Sequence, residues 1–345
     1  MHALNKDRPM SSLLQNTLLA AIEEEIRATV GGVDEAGLET LYHMLAYHLG
    51  WEGEGSGPEA RGKRIRPLLT LLACASAGGD WMECLPAAAA VELIHNFSLI
   101  HDDIQDNSPL RRGRPTIWKK WGVPQAINAG DTMFTLAFLA LLRLKEAAGA
   151  EIAVLASQML QTACLRLTQG QYLDLAYESA GALPLDAYWT MVGGKTAALL
   201  EACTGLGALV AGASETRQEA YRAFGHNLGL AFQVQDDLLG IWGDAALTGK
   251  SAESDLVSGK KSLPVLYGLS QHGEFADRWS DGRIAPDEVT SMAALLEAEG
   301  GRLYAEQVAN QLTARAVAAL EGAEPQGDAG LALAGLANRM LKRQA

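Results

Sequence analysis

Apolar residues recur at helical spacing along almost the whole chain. Leu13, Leu14, Leu18 and Ile22 open a first amphipathic stretch, and Leu38, Leu41 and Leu45 a second. The same period marks helical segments from about Ile65, over Pro86–Asp106, Pro124–Glu146, Glu151–Tyr177, Leu185–Val210 and Glu215–Ile241, and again from Ser262 to the C-terminus with breaks. Residues rich in Gly, Pro and charge interrupt the pattern at 51–60, 107–115 and 243–258, with a late turn at 322–328. The Val, Ile and Thr alternation of strands is rare. The pattern predicts an all-α protein. No linker separates the segments, so one helical domain over residues 1–345 is expected, with residues 1–10 a flexible lead. Gly225, Gly229 and Gly240 recur along a single predicted helix. Each costs roughly 1 kcal/mol there relative to Ala, which close packing or ligand approach would offset.

Composition narrows the picture. The 345 residues are 48% hydrophobic, enough for a large core, and the net charge is -13. A global basic field for nucleic acid is therefore absent. Yet seven of the 28 Lys and Arg residues fall in two short stretches, Arg61–Arg66 and Arg111–Arg114. In an acidic chain such clusters point to local anion sites. Cys74, Cys84, Cys164 and Cys203 form no CxxC pair and sit among Ala and Leu, which reads as buried thiols in a reducing compartment. Residues 1–10 are polar and no long apolar run follows them. The longest strongly apolar run, Met133–Leu142, is shorter than the roughly 20 residues that span a bilayer. A cytoplasmic protein with no transmembrane segment is expected.

The chemistry lies at two helix ends. His101-Asp102-Asp103-Ile104-Gln105-Asp106 closes an Ala- and Leu-rich segment. Spacings of three and four let Asp102, Asp103 and Asp106 share one face. Clustered carboxylates at a helix C-terminus repel one another and oppose the dipole, so a cation should offset them. Hard oxygen ligands with room for water and phosphate suit Mg²⁺. A second set, Phe232-Gln233-Val234-Gln235-Asp236-Asp237, again ends an apolar helix and puts Gln233, Asp236 and Asp237 on one face. Two such pairs, each followed by a basic, Gly-containing loop, suggest a clamp for Mg²⁺ bridging a diphosphate. Cations accompany them: Arg61-Gly62-Lys63-Arg64-Ile65-Arg66, Arg111-Arg112-Gly113-Arg114, Gly193-Gly194-Lys195-Thr196, Lys250 and Lys260. Gly193–Thr196 is not a P-loop, because the upstream glycine and the strand are missing. Together these features point to two diphosphates plus metal.

This constellation resembles the trans-prenyl diphosphate synthases. Asp102-Asp103-x-x-Asp106 followed by Arg111-Arg112-Gly113-Arg114-Pro115 looks like the family's first aspartate-rich motif. Phe232-Gln233-x-x-Asp236-Asp237 looks like the second. Gly62-Lys63-Arg64-x-Arg66-Pro67, His95, Gln171-x-x-Asp174, Lys195-Thr196 and Gly259-Lys260 match as well, over roughly residues 60–265. The second motif departs from the family where Gly240 replaces a third aspartate.

The resemblance implies an isoprenoid-synthase helical bundle around a deep apolar cavity, in a homodimer that joins isopentenyl diphosphate to allylic diphosphates. It places Asp102, Asp106 and Asp236 near Mg²⁺, three ions per site, with Asp103 and Asp237 supporting the metal's waters. It gives the allylic diphosphate to Arg111, Lys195 and Lys260, and isopentenyl diphosphate to Lys63, Arg64, His95 and Arg112. Phe97 and Ser98, five and four positions before Asp102, would meet the growing chain and set its length. One large and one small residue there favour geranylgeranyl diphosphate, with farnesyl and geranylfarnesyl diphosphate behind it. His101 is expected to pack or hydrogen-bond rather than act as a base. A class I terpene cyclase would share the fold but need no second diphosphate site. A non-catalytic partner subunit would be expected to lose aspartates from at least one site.

Overall fold

The structure is a computed structural model that describes residues 9–33, 35–181, 183–243 and 255–341. Of the expected lead at residues 1–10, residues 1–8 lie outside the described residues, as does the candidate Lys250, and Pro9 and Met10 already belong to the first helix. The chain is 79% helical, as its periodicity predicts. The described part groups into two compact units: residues 1–161, 203–218 and 325–333 in the first, and 162–202, 219–324 and 334–345 in the second.

The first unit is organised on α5 (Leu85–Gln105), which packs against α1 (Pro9–Gly31), α4 (Ile65–Ala77) and α7 (Val123–Leu142). The run Ala87–Ala90 explains the crowding: all four residues are buried, and their small side chains let neighbours approach on several faces. Leu18, Ile22 and Ile26 of α1 and Leu69, Leu71 and Leu72 of α4 fill the space around it. Gly207, in the last turn of α11 (Ala198–Val210), lies against the backbone of Thr70 in α4, where a Cβ would collide.

By length and composition, Val123–Ala147 is apolar enough to cross a membrane. It contains the run Met133–Leu142 and is longer than the sequence expectation of no transmembrane segment allowed. Ala126, Ala129, Gly130, Met133, Ala137 and Leu141 form a buried face that packs along α5, whereas Val123, Ile127, Leu139 and Leu142 are exposed.

The expected polar loop at 107–115 is a hairpin. Strands β1 (Leu110–Arg111) and β2 (Arg114–Pro115) pair antiparallel, with Arg111 opposite Arg114. Arg112 and Gly113 at its tip both have positive φ, 51° and 72°, the two-residue turn whose twist suits a hairpin.

In the second unit, α10 (Asp186–Val192) passes through one π-helical turn, Gly193–Ala197, into the start of α11. This segment crosses α9 (Ala150–Ser179) at Gly170 and Gly194, where a Cβ on either residue would run into the other's backbone. Gly229 of α12 (Glu215–Trp242) packs on Ala197 in the same way, which accounts for one of the three helix glycines. Beyond it, α13 (Asp255–Ser258), α14 (Leu263–Gln271) and the helices that follow close a second core of Leu256, Val265, Phe275, Met292 and Leu296. The late turn falls between α17 (Gly301–Gly322) and α18 (Gly327–Leu341), where the sequence predicts it. All four cysteines are free and buried.

Candidate active site

In the first unit the helix α5 delivers the carboxylates and the hairpin returns cations to them. Asp102 and Asp103 occupy the last turn, and Asp106 caps it with its N–H donated to the Asp102 carbonyl at 2.8 Å. The hairpin folds Arg111 onto Asp103: Nε lies 2.9 Å from Oδ1 and 3.0 Å from Oδ2, and Nη2 lies 2.8 Å from Oδ1. Asp103 is buried. Burial raises its pKa, and the Arg111 guanidinium offsets only part of that rise. Asp103 is therefore held by protein.

The Arg61–Pro67 segment divides its cations. Lys63 is exposed. Arg64 caps α4 in a left-handed conformation, φ 47°, and turns into the core. Its Nε donates to Glu23 at 2.6 Å, Nη1 to Glu92 at 2.8 Å and Nη2 to the Leu49 carbonyl at 3.3 Å. Burial lowers the Arg64 pKa, but Glu92 and Glu23 outweigh it and the pKa is raised. Arg64, expected on a diphosphate, is thus enclosed by carboxylates. Arg66, two residues on, has a buried Nε with no hydrogen-bond partner. Burial lowers its pKa as well.

His95 stands in the field of this group. Burial first, then Arg66, Arg112 and Arg111, push its pKa well below the usual imidazole value. His48, which the sequence does not single out, is depressed by burial and by Arg111 and Arg112. It lines a small cleft with Asp103, Arg111, Arg112 and Arg114. Arg112 donates to the Ala60 carbonyl at 2.7 Å and lies across Gly62, where a Cβ would sit 2.7 Å from Nη2. That approach, with φ at 75°, explains the glycine. Arg114 is structural: its guanidinium binds the carbonyls of Tyr47, Glu52 and Glu54 and fixes the 51–57 loop.

Phe97 packs edge-on against His101, ring centroids 4.8 Å apart, and against Phe134 of α7 at 5.0 Å. Ser98 Oγ donates to the His95 carbonyl at 2.8 Å. His101 lies over Gly130 with Nε2 3.4 Å from the Ile127 carbonyl, the packing role expected of it.

In the second unit Asp237 is the hub. It is fully buried, and four donors fill its oxygens: Tyr188 Oη at 2.7 Å, Leu263 N at 3.1 Å, Gln233 Nε2 at 3.0 Å and Lys260 Nζ at 3.2 Å. Thr196 donates to the Gln233 side chain at 2.8 Å, and Lys195 pairs with Asp174. The π-turn sets the side chains of Lys195 and Thr196 into this group; such bulges commonly mark functional sites. Burial alone would lower the Lys260 pKa, but Asp237, Asp255, Asp236 and Asp174 raise it, so the ammonium stays charged. Lys261, beside it, is spent on the carbonyls of Tyr177 and Ala180.

Sequence reasoning missed Tyr188, Asp255, His48 and the buried pair Glu23 and Glu92. Glu92 carries a usable signal: a carboxylate in the middle of an apolar helix implies a buried cation partner.

The chain is similar to known proteins over most of its length. The polyprenyl synthetase family matches residues 57–293. A geranylgeranyl diphosphate synthase of Mycobacterium tuberculosis is 40% identical over 314 residues, covering 88% of this chain and 89% of its own. A (2E,6E)-farnesyl diphosphate synthase of Mycobacterium bovis is 42% identical over 273 residues, 76% of this chain and 75% of its own. The crystal structure of a geranylgeranyl pyrophosphate synthase from Corynebacterium glutamicum, complexed with isoprenyl diphosphate and magnesium, aligns with a TM-score of 0.81 at 28% identity, covering 96% of this chain and 98% of that one. The chain belongs to the polyprenyl synthetase family and is a short-chain prenyltransferase.

Proposed function

We propose that this enzyme condenses isopentenyl diphosphate with allylic diphosphates, head to tail, and that its main product is geranylgeranyl diphosphate. The observation that carries the reading is the cation group around His95. A terpene cyclase ionises one diphosphate and has no use for a second anion site beside the first aspartates. Here Lys63, Arg66, His95 and Arg112 hold isopentenyl diphosphate. Arg66 takes the role that the resemblance gives to Arg64, because the Arg64 guanidinium is enclosed by Glu23 and Glu92. Arg111, Lys195, Lys250 and Lys260 serve the allylic diphosphate, with Thr196 and Gln233 orienting the Asp237 carboxylate that Lys260 contacts.

The donor set fits magnesium. Asp102 and Asp106 lie one helical turn apart, and Asp236 is a third carboxylate. Among the described residues no group of three potential metal ligands is assembled by protein alone. Mg²⁺ typically takes one or two carboxylates and completes its shell with substrate phosphate and water. Three ions per active site are assigned to Asp102, Asp106 and Asp236. When bound, they would neutralise the allylic diphosphate and make it a leaving group. Lys195 and Lys260 add fixed positive charge where the negative charge collects. Phe97 and Phe134 give the reacting allylic cation an apolar wall that excludes water. The double bond of isopentenyl diphosphate attacks, and the departing diphosphate takes the proton. His101, packed on Gly130, is assigned a packing role and not that of a base.

The functional unit is a cytoplasmic homodimer of a single isoprenoid-synthase domain. Leu139 and Leu142 of α7 and Val154 and Leu155 of α9 are exposed, and a second copy would cover them. Product analysis with isopentenyl diphosphate and each allylic starter tests the reading. Chain extension ending mainly at twenty carbons supports it. Cyclised or hydrolysed products formed without isopentenyl diphosphate would overturn it.

A further inference from the structure

The second aspartate cluster has a gap at Gly240. This position lies four residues after Asp236 and three after Asp237, so a side chain there would share their helical face. Glycine in a helix interior costs roughly 1 kcal/mol relative to Ala, so something must favour it. The space above Gly240 is filled by Asp255, at the start of α13. A Cβ built on Gly240 would lie 2.6 Å from Asp255 Cγ, 3.0 Å from Oδ1 and closer still to Oδ2. An aspartate at 240 would place its own carboxyl carbon one C–C bond of about 1.5 Å from that Cβ, with each oxygen about 1.2 Å further out. The Asp255 carboxylate thus stands within the volume that an aspartate at 240 would use.

Its partners belong to the same cluster. Asp255 Oδ2 lies 3.5 Å from Lys260 Nζ, and the same ammonium is 3.2 Å from Asp237 Oδ1. Lys260 is therefore held between one carboxylate from α12 and one from α13.

We propose that Asp255 supplies the third carboxylate of the second aspartate cluster, in place of the one that Gly240 lacks. The missing aspartate is relocated rather than lost. Asp255 acts as a positioning residue, aiming Lys260 at the allylic diphosphate and keeping the negative charge of the Asp236 face at three carboxylates. Gly240 is the complement of this arrangement, because any larger residue displaces the Asp255 carboxylate. The proposal rests on the reading that this cluster binds the allylic diphosphate.

The test is to move the carboxylate. Asp255→Ala should raise the KM for the allylic substrate and the half-saturating Mg²⁺ concentration by roughly tenfold, with little change in the KM for isopentenyl diphosphate. Asp255→Asn, which keeps the shape, should do the same. Gly240→Asp alone should impair the enzyme, because two carboxylates contend for one place. The double variant Asp255→Ala with Gly240→Asp should recover most of the lost affinity. A second readout needs no turnover: Mg²⁺ with inorganic diphosphate should raise the unfolding temperature of the wild type, not of Asp255→Ala, and again of the double variant. Wild-type behaviour of Asp255→Asn, or a folded double variant no better than Asp255→Ala in both readouts, would overturn the proposal. A wild-type enzyme that fails to elongate any allylic starter would overturn the proposed function instead.

Discussion

Arg64 and Glu92 form a buried ion pair, Nη1 to Oε1 at 2.8 Å, and this pair decides which arginine of the Gly62–Pro67 segment can meet a substrate. Glu23 takes Nε, Leu49 takes Nη2, and Glu92 is in turn held by Asn96 Nδ2 at 3.1 Å. Breaking a buried pair by removing one partner typically costs about 3–5 kcal/mol, because the other charge is left buried alone. Arg64→Ala should therefore lower stability by that order in urea unfolding. Arg66→Ala and Lys63→Ala should leave most of the stability and raise the KM for isopentenyl diphosphate more than that for the allylic substrate. Lys195→Ala should do the opposite. Equal effects on both substrates would refute the division of roles.

The metal assignment makes a sharper demand. Asp102→Ala and Asp236→Ala each remove a direct ligand and should lower turnover by roughly a hundredfold or more. EDTA should abolish wild-type activity and Mg²⁺ should restore it. Full activity in EDTA would refute the mechanism. Asp103→Ala should differ from Asp102→Ala by costing stability as well, because it leaves the half-buried Arg111 without its carboxylate.

Acid should weaken the fold through His95 and His48. The folded-state pKa of each lies well below the usual imidazole value of about 6.5, through burial and the facing arginines. Below about pH 6.5 the unfolded chain binds protons that the folded chain does not, so stability falls as pH falls towards the folded pKa. Above that pH the contribution is fully present. The unfolding temperature should drop between pH 7.5 and pH 5.5, and His95→Gln should narrow the drop. An unchanged drop in His95→Gln would show that His95 is protonated in the folded state at little cost.

How far these roles are legible in sequence depends on the range of the interaction. The helices and both aspartate clusters follow from local period and spacing. The hairpin at 110–115 does not, because two-residue strands are too short to alternate and an arginine at φ 51° is an unusual tip residue. Arg64 and Arg66 look alike in the motif. Only the turn at Gly62 and Arg64 decides which one points to Glu92. Tyr188 meets Asp237 across 49 residues, and Asp255 reaches Gly240 from another helix. No local pattern encodes those contacts, whereas a glycine at an aspartate position does mark that something else must occupy the space.

Product length is the finest of the expectations. Ser98 and Phe97 precede Asp102 by four and five residues, so they lie about 6 and 7.5 Å further from the first aspartates along α5, at roughly 1.5 Å per residue. A chain growing down α5 from that end meets them in this order. Phe97 is braced by His101 and by Phe134, which itself packs edge-on against Phe138 at 5.0 Å. A braced ring is a firm stop, whereas Ser98, with its hydroxyl tied to the His95 carbonyl, leaves room beside it. Removing the ring opens volume that the neighbours fill only in part. Phe97→Ala should therefore shift the products to longer prenyl diphosphates, and Phe134→Ala should shift them less, by loosening the brace. Ser98→Phe should shorten them, because a second aromatic ring meets the chain one residue earlier. Chromatography of dephosphorylated products reads all three. If Phe97→Ala and Ser98→Phe both keep the wild-type distribution while remaining active, Phe97 is only a packing residue and the end of the cavity is formed by other helices.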